Sequence, residues 1–304
     1  MFGYTLAFIS GACTGLTVAV GKLSASHLSA SMYVFLISAL SLVMTYLWRG
    51  VTIGWRIPLP HKDLRWLLIW QSLFSAFALW AFWEGARQIH TGIASFAVRT
   101  ELVFVLIASR VFFKEKIGIT GVIGGLLIVA GSLAMGLKSP AAMAEVFTEA
   151  QAAVYVYGLT IVILSGAGFA ASECFAKLVA HGIEPSAMVI WRGLMLGVIF
   201  GVLLLFEDLP RAIDSFTVSD IVICALAALL GPVLARIFFM WSLRRIELGK
   251  AYLLCQIEPV VTAVFAWILM NEKMHPADLG GALAILIGCI VISLPSPSKE
   301  LHSS

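Results

Sequence analysis

Inside long apolar stretches, this chain keeps a few side chains that could do chemistry. Arg99 and Glu101 stand two residues apart in one stretch, and Gln256 and Glu258 two apart in another. Arg236 follows Pro232-Val233-Leu234-Ala235 deep in a third, with Phe238, Phe239 and Trp241 after it as an aromatic wall. Glu173 and Lys177 are four apart near the end of a fourth, the spacing of an i,i+4 pair. An ionisable group in such surroundings is costly, so each is a functional candidate. The chemistry on offer is charge recognition or carriage of a proton by a carboxylate. Bond-making chemistry finds no support. The six His are scattered near segment ends, and no HExxH, GxSxG, Walker or Gly-rich nucleotide motif occurs. No aspartate pair lies within the apolar stretches, which leaves a lipid-acting membrane enzyme as a remote alternative.

The elements that must position these residues are membrane spans. The chain is 61% hydrophobic and 12% charged, against about 25% charged for a soluble domain. Its mean hydropathy is +0.99. Ten apolar segments, each near the length of a span, cover 4–21, 31–48, 64–83, 91–113, 117–137, 154–176, 186–206, 219–241, 248–270 and 276–294. Proline and glycine punctuate the links, and residues 295–304 form a polar tail. The residues before Tyr4 lack the positive charge of a signal peptide, so the first segment is expected to stay as a helix. The five Cys all fall in apolar stretches without CxxC or Cys/His spacing, which excludes a metal site built on them. No basic run exceeds Arg244-Arg245, so a nucleic-acid partner is not expected.

The chain repeats itself. A gap-free shift of 157 places Arg87 on Arg244, Glu101 on Glu258, Glu115-Lys116 on Glu272-Lys273, Gly124 on Gly281 and Gly131 on Gly288, within 12 identities over 45 positions. A shift of 155 places Ser10-Gly11-Ala12 on Ser165-Gly166-Ala167 and Lys22 on Lys177. Two units follow, 4–137 and 154–294, joined by a loop at 138–153. Five spans per unit is an odd number, so the second unit starts on the opposite face and the repeats are inverted. With the N-terminus cytoplasmic, twelve Lys and Arg lie on that side and five on the other, which predicts both termini in the cytoplasm.

The ends of the fourth and fifth segments, Glu101 to Phe113 with Lys114-Glu115-Lys116 and Gly121 to Gly136, resemble EamA domains of the drug/metabolite transporter superfamily. Their counterparts are Ile257-Glu258-Pro259-Val260, Asn271-Glu272-Lys273 and Gly280-Gly281 onward. The resemblance covers nearly the whole chain. It departs at Arg99-Thr100-Glu101-Leu102, where many members carry Glu-Pro or a neutral pair. It implies an all-α, ten-helix inverted-repeat transporter of small organic metabolites in the cytoplasmic (inner) membrane, often an exporter. Segments one, three, four, six, eight and nine would line a cavity, and five and ten would pack outside. No cofactor is implied. The partners are a small-molecule substrate and the bilayer, with the chain a monomer or homodimer.

Within that frame the substrate-binding candidates are Arg99, Glu101, Trp80, Arg236, Gln256, Glu258 and Phe239. Arg99 and Glu101 are about 200° apart around a helix and cannot both face one cavity. Each Glu either joins the substrate network, carries a proton or bridges helices. Arg236 meets substrate or pairs with Glu258 or Glu101, while Arg192 snorkels to the interface. Pro259 acts as a hinge or a fixed kink. Glu173 and Lys177 pair at the cytoplasmic mouth. Glu115 and Glu272 each cap the helix they open, and the glycines pack helices, within or between protomers. A mixed-charge cavity suits an amino acid, a related zwitterion or an organic anion. A pore or sensor with the same fold is the other reading.

Overall fold

The computed structural model describes residues 2–25, 28–88, 97–115, 118–136, 149–207, 217–270 and 276–294. These residues are helical, with no strand among them. In chain order the helices are α1 (Phe2–Ala25), α2 (Ala30–Thr52), α3 (Lys62–Gln88), α4 (Thr100–Phe112), α5 (Ile119–Gly136), α6 (Glu149–Val179) and α7 (Pro185–Leu204). They continue as α8 (Val218–Leu243), α9 (Leu248–Cys255), α10 (Glu258–Met270) and α11 (Pro276–Ser293). Seven stretches are long and apolar enough to cross a membrane, α9 and the start of α10 counting as one; Ile119–Gly131 and Leu279–Ser293 are shorter apolar helices. The chain reads as a multi-pass membrane protein. The first part of the fourth segment, most of the 138–153 loop, Glu272, Lys273 and the tail lie outside the described residues.

Local sequence sets the helix ends. Ser29 caps α2 by accepting from the Met32 N–H at 3.2 Å. Pro185 opens α7, where its missing N–H is harmless. Thr217 and Asp220 form a capping box at the start of α8. Gly54 follows α2 at φ +133°, a conformation only glycine takes without strain, and its N–H returns to the Arg49 carbonyl at 2.9 Å.

Helices pack in antiparallel pairs. Helix α2 lies along α7, and each helix start bonds to the other's end. Ser29 donates to Glu207 at 2.8 Å, and Arg49 donates to Glu184 at 2.8 Å. Helix α3 runs along α6, with Phe74 and Phe175 stacked at 5.7 Å. Helix α5 runs along α11 on a seam of glycines. A Cβ on Gly124 would stand 2.6 Å from the Gly288 carbonyl, and one on Gly131 would stand 2.5 Å from that of Gly281. These four glycines are thus used inside one chain, where close backbone approach replaces the hydrophobic drive absent in lipid.

The eighth and ninth segments are among those that depart from the expectation of continuous α-helix. The eighth contains a π-helical stretch at Leu229–Ala235 around Pro232. The ninth is broken at Gln256–Ile257 into α9 and α10. Capping also differs in its target. Glu115 accepts from the Leu248 N–H at 2.9 Å and the Gly249 N–H at 3.2 Å, while Ser109 donates to it. It therefore caps α9, far along the chain, and not α5, which it precedes. The reason is electrostatic: the free N–H groups of α9 lie within reach of its carboxylate.

The α5–α11 seam gives a test in which the sign of the effect is informative. Gly→Ala in a helix gains about 1 kcal/mol of propensity, whereas overpacking costs about 1–3 kcal/mol. Gly124→Ala is expected to lower the unfolding temperature. Gly280→Ala, whose Cβ would meet nothing within 4 Å, is expected to leave it unchanged or raise it. Fluorescence-detected thermal unfolding of both variants in detergent reads the difference.

Candidate functional site

The site is built at two helix interruptions that occupy matching places in the chain. Helical bonding lapses at Val98–Arg99 before α4 and at Gln256–Ile257 before α10, and the shift of 157 places Arg99 on Gln256. Tight i→i+3 bonds bridge each interruption, from the Leu102 N–H to the Arg99 carbonyl at 3.0 Å and from the Val260 N–H to the Ile257 carbonyl at 3.1 Å. Glu101 and Glu258 fall in the first turns of α4 and α10, where a carboxylate is favoured by the helix N-terminus. Pro259 lies at the second position of α10, where its missing N–H costs nothing, so the break precedes it.

A matching pair of glycines admits neighbouring backbone to each break. Gly11 of α1 lies against Cys255, with the Cys255 carbonyl where a Cβ would be. Gly166 of α6, its counterpart by the shift of 155, lies against Val98 to Glu101, with a would-be Cβ 2.9 Å from the Glu101 nitrogen.

Arg99 reaches across from one break to the other. It donates to the Gln256 side-chain oxygen at 3.2 Å and to Glu258 at 3.3 Å. Gln256 is buried, and the Arg99 and Glu258 side chains keep 21% and 23% of their exposure. Both side chains therefore keep some accessible surface. Glu101 turns to the Tyr252 hydroxyl on α9 and lies among the charges of Arg99, Glu258 and Glu173.

Arg236 pairs with Glu173, not with Glu101 or Glu258. One of its nitrogens donates to both Glu173 oxygens, at 2.6 and 2.8 Å. The π stretch explains the aim. Each π turn adds a residue relative to α-helix and rotates the downstream face by about 100°, and Arg236 is the first residue beyond it. The Ser10 hydroxyl donates to the Ala235 carbonyl at 2.8 Å, fixing the end of that stretch against α1. Phe239 is buried 5.6 Å from the Arg236 guanidinium.

The expected Glu173–Lys177 pair does not form. Lys177 instead donates to the Leu243 and Ile246 carbonyls at 2.7 and 2.8 Å, capping the end of α8. Nor does Arg192 snorkel. It turns inward, donates to Ser75 on α3 at 2.6 Å, and feels the charges of Arg236 and Glu173.

The structure thus brings Arg99, Gln256, Glu258 and Glu101 together, and Arg236, Phe239 and Glu173 beside them. Lys177 sits at the bundle end, in a cavity of about 390 Å³ that it shares with Tyr4, His181, Arg245 and Lys250. Trp80 stays apart. It is 38% exposed, on a stripe with Trp66, Trp70, Leu73 and Phe77, about 140° around α3 from Ser75 and about 180° from Gln71. The residues missing from the sequence-based site are Arg192, Tyr252, Gln71, Ser72 and Ser75. The signal for the last three was present: polar residues at i, i+1 and i+4 mark one face of an otherwise apolar helix.

The sequence profile of the EamA-like transporter family matches residues 1–137 and 156–294. The chain belongs to that family. A chloroplastic WAT1-related protein of Arabidopsis thaliana is 20% identical over 78% of this chain, which spans 57% of the plant protein's length. An uncharacterized transporter of Archaeoglobus fulgidus is 23% identical over 73% of the chain and 78% of its own length. A crystal structure of 16% identity superposes with a TM-score of 0.72 over 97% of this chain and 98% of its own. Family membership makes the chain a membrane transporter.

The Arg236–Glu173 pair is 11% and 12% exposed. Breaking such a pair costs about 3–5 kcal/mol, because the remaining charge is stranded, whereas replacing both members is far milder. Glu173→Leu is expected to destabilise the protein by about that amount, and Glu173→Leu with Arg236→Met to recover most of it. A loss in the double variant equal to the sum of the Glu173→Leu and Arg236→Met losses, measured by denaturant unfolding, would show that the two side chains act independently.

Proposed function

We propose that this protein is a secondary transporter that moves a small organic metabolite across the cytoplasmic membrane by alternating access. Its substrate class is an amino acid, a related zwitterion or an organic anion, and its direction is export. The ten spans act as two inverted five-helix units, 4–137 and 154–294, with both termini in the cytoplasm. The observation that carries this reading is the Arg99 side chain spanning the two helix breaks to Gln256 and Glu258. Broken helices offer unpaired backbone groups at mid-membrane, and such breaks are where transporters bind solutes.

The contact explains how binding would be linked to motion. Arg99 belongs to the first unit, Gln256 and Glu258 to the second, so their bond ties the units together. A substrate ammonium drawn to Glu258 competes with Arg99, and a proton taken up by Glu258 does the same. Either loosens the tie between units, and the break before Pro259 gives α10 a place to pivot. Glu101 or Glu258 serves as the proton carrier if export is driven by a pH gradient. No resident cofactor is required.

Counterflow in proteoliposomes tests this. Vesicles loaded with pooled amino acids, organic acids, nucleosides or amines are offered labelled members of each class, with and without a pH gradient. A carrier shows uptake that needs the same class inside. Uptake without trans-stimulation would indicate a pore, and no uptake a sensor. Arg99→Gln is expected to reduce exchange about tenfold or more, since the charged hydrogen bond that ties the two units is lost. The variant should still elute as a folded, monodisperse species. Unchanged exchange would remove the Arg99 contact from the transport cycle.

A further inference from the structure

A second group of buried polar side chains, beside the Arg99 contact, is not accounted for by any internal pairing. Arg192 lies within electrostatic reach of Arg236 and of one carboxylate, Glu173. That carboxylate is taken by Arg236, both of its oxygens receiving the same guanidinium nitrogen. Arg192 donates to the Ser75 hydroxyl, a neutral partner. Three guanidinium nitrogens, Arg192 Nε and Arg236 Nε and Nη2, are buried without a hydrogen-bond partner among the described residues. The local balance is two cations to one anion.

The facing wall of α3 is equally unsatisfied. Gln71 is 0% exposed, and neither its amide nitrogen nor its oxygen has a partner. It sits one helical turn before Ser75, on the same face, and so projects toward the group that Arg192 joins. Ser72 beside it and Ser172 next to Glu173 are each 1% exposed with unpartnered hydroxyls. Native proteins leave few buried polar atoms unmade, because each costs free energy. Two adjoining walls that hold several of them, with an excess positive charge, describe a binding surface and not a packing core.

We propose that Arg192, Arg236, Gln71 and Ser72 form the seat for the carboxylate group of the transported substrate. Guanidinium groups donate in a planar fork that matches a carboxylate. Gln71 and Ser72 supply further donors from the opposite wall. The seat is separate from Arg99, whose guanidinium already has both an amide and a carboxylate partner. This rests on the transport reading above and deepens it, naming the residues that would hold the carboxylate its substrate class carries.

The test is direct binding to the full-length protein in detergent. Acetate, succinate and benzoate are titrated against their uncharged amides, following unfolding temperature and tryptophan fluorescence in the wild type, Arg192→Gln and Arg192→Lys. At least one carboxylate should raise the unfolding temperature of the wild type while its amide does not. Arg192→Gln should weaken that binding about tenfold or more, the loss of one charged hydrogen bond, and Arg192→Lys should restore part of it. Without ligand, Arg192→Gln should unfold at or above the wild-type temperature, because Arg192 has no carboxylate partner to lose. The seat is overturned if no carboxylate stabilises the wild type, if Arg192→Gln binds as well as the wild type, or if ligand-free Arg192→Gln is clearly less stable. Counterflow separates the two claims. Exchange of amines or neutral solutes without carboxylate binding keeps the transporter and removes the seat. Carboxylate binding that needs Arg192, with no exchange of any class, keeps the seat and removes the transporter.

Discussion

Placing charge inside an apolar helix bundle is the constraint on which this architecture depends. Three guanidinium groups, Arg99, Arg192 and Arg236, and three carboxylates, Glu101, Glu173 and Glu258, lie within one electrostatic neighbourhood. None can be stranded cheaply, since a buried ion without a partner costs several kcal/mol. The geometry of the repeat makes the problem sharper. Arg99 and Gln256 occupy matching positions in the two units and touch each other at 3.2 Å. Had the second unit also kept an arginine there, two cations would face one another at contact distance. The change from cation to amide at this one position is what allows the two breaks to meet. The carboxylates need no such change, because Glu258 turns to Arg99 and Glu101 to Tyr252.

The backbone presents the same demand in a different form. An interrupted helix exposes carbonyls and N–H groups that lipid cannot satisfy. Here each break is closed by tight i→i+3 bonds and by a helix carrying glycine at the contact, Gly11 or Gly166. The π stretch in α8 follows the same logic, with Ser10 donating to its last carbonyl. One serine and its neighbouring glycine on α1 thus serve two irregularities, in α8 and at the start of α10. Their counterparts Ser165 and Gly166 lie on α6, although Ser165 bonds within its own helix, to the Val162 carbonyl. The shared Ser-Gly-Ala sequence is explained by the glycine contact more than by the hydroxyl.

Much of this was legible in the sequence. Apolar segment lengths located most of the helices, and the matched Glu101 and Glu258 singled out the two positions, but continuous helix was expected there and the breaks were not. What the sequence could not show was partner choice. Arg236 has Glu258, Glu101 and Glu173 as sterically reasonable partners, and the extra residue of a π turn decides among them. Glu115 stands next to its own helix in sequence, yet the free N–H groups of α9 are closer in space. Arg192 sits one or two turns from a helix start, where outward and inward rotamers are both within reach. Only the packed position of Ser75 selects the inward one. Trp80 lies on a different face from Gln71 and Ser75 for a simple reason: a large aromatic residue in a spanning helix is equally at home on an exposed apolar face.

The division of labour among the three arginines follows from how completely each is paired. Arg236 is held by both oxygens of Glu173 and by the π turn behind it, so it is the most firmly placed. Arg99 bridges the units and stays partly exposed, which suits the contact proposed above to form and break. Arg192 has only a hydroxyl against its charge. If all three carboxylates are ionised, the described charges of the cluster sum to zero, yet they are unevenly spread: the excess negative charge lies near Glu101 and Glu258, and the excess positive charge near Arg192. A solute bearing both signs would align with that separation, its carboxylate toward Arg192 and its ammonium toward the two helix N-termini that carry Glu101 and Glu258. A solute bearing only a carboxylate would leave the second half of the field unanswered, and a proton on one of those glutamates would then restore the balance. The same arrangement of fixed charges, as the proposed site, would thus take a zwitterion without a proton and an anion with one.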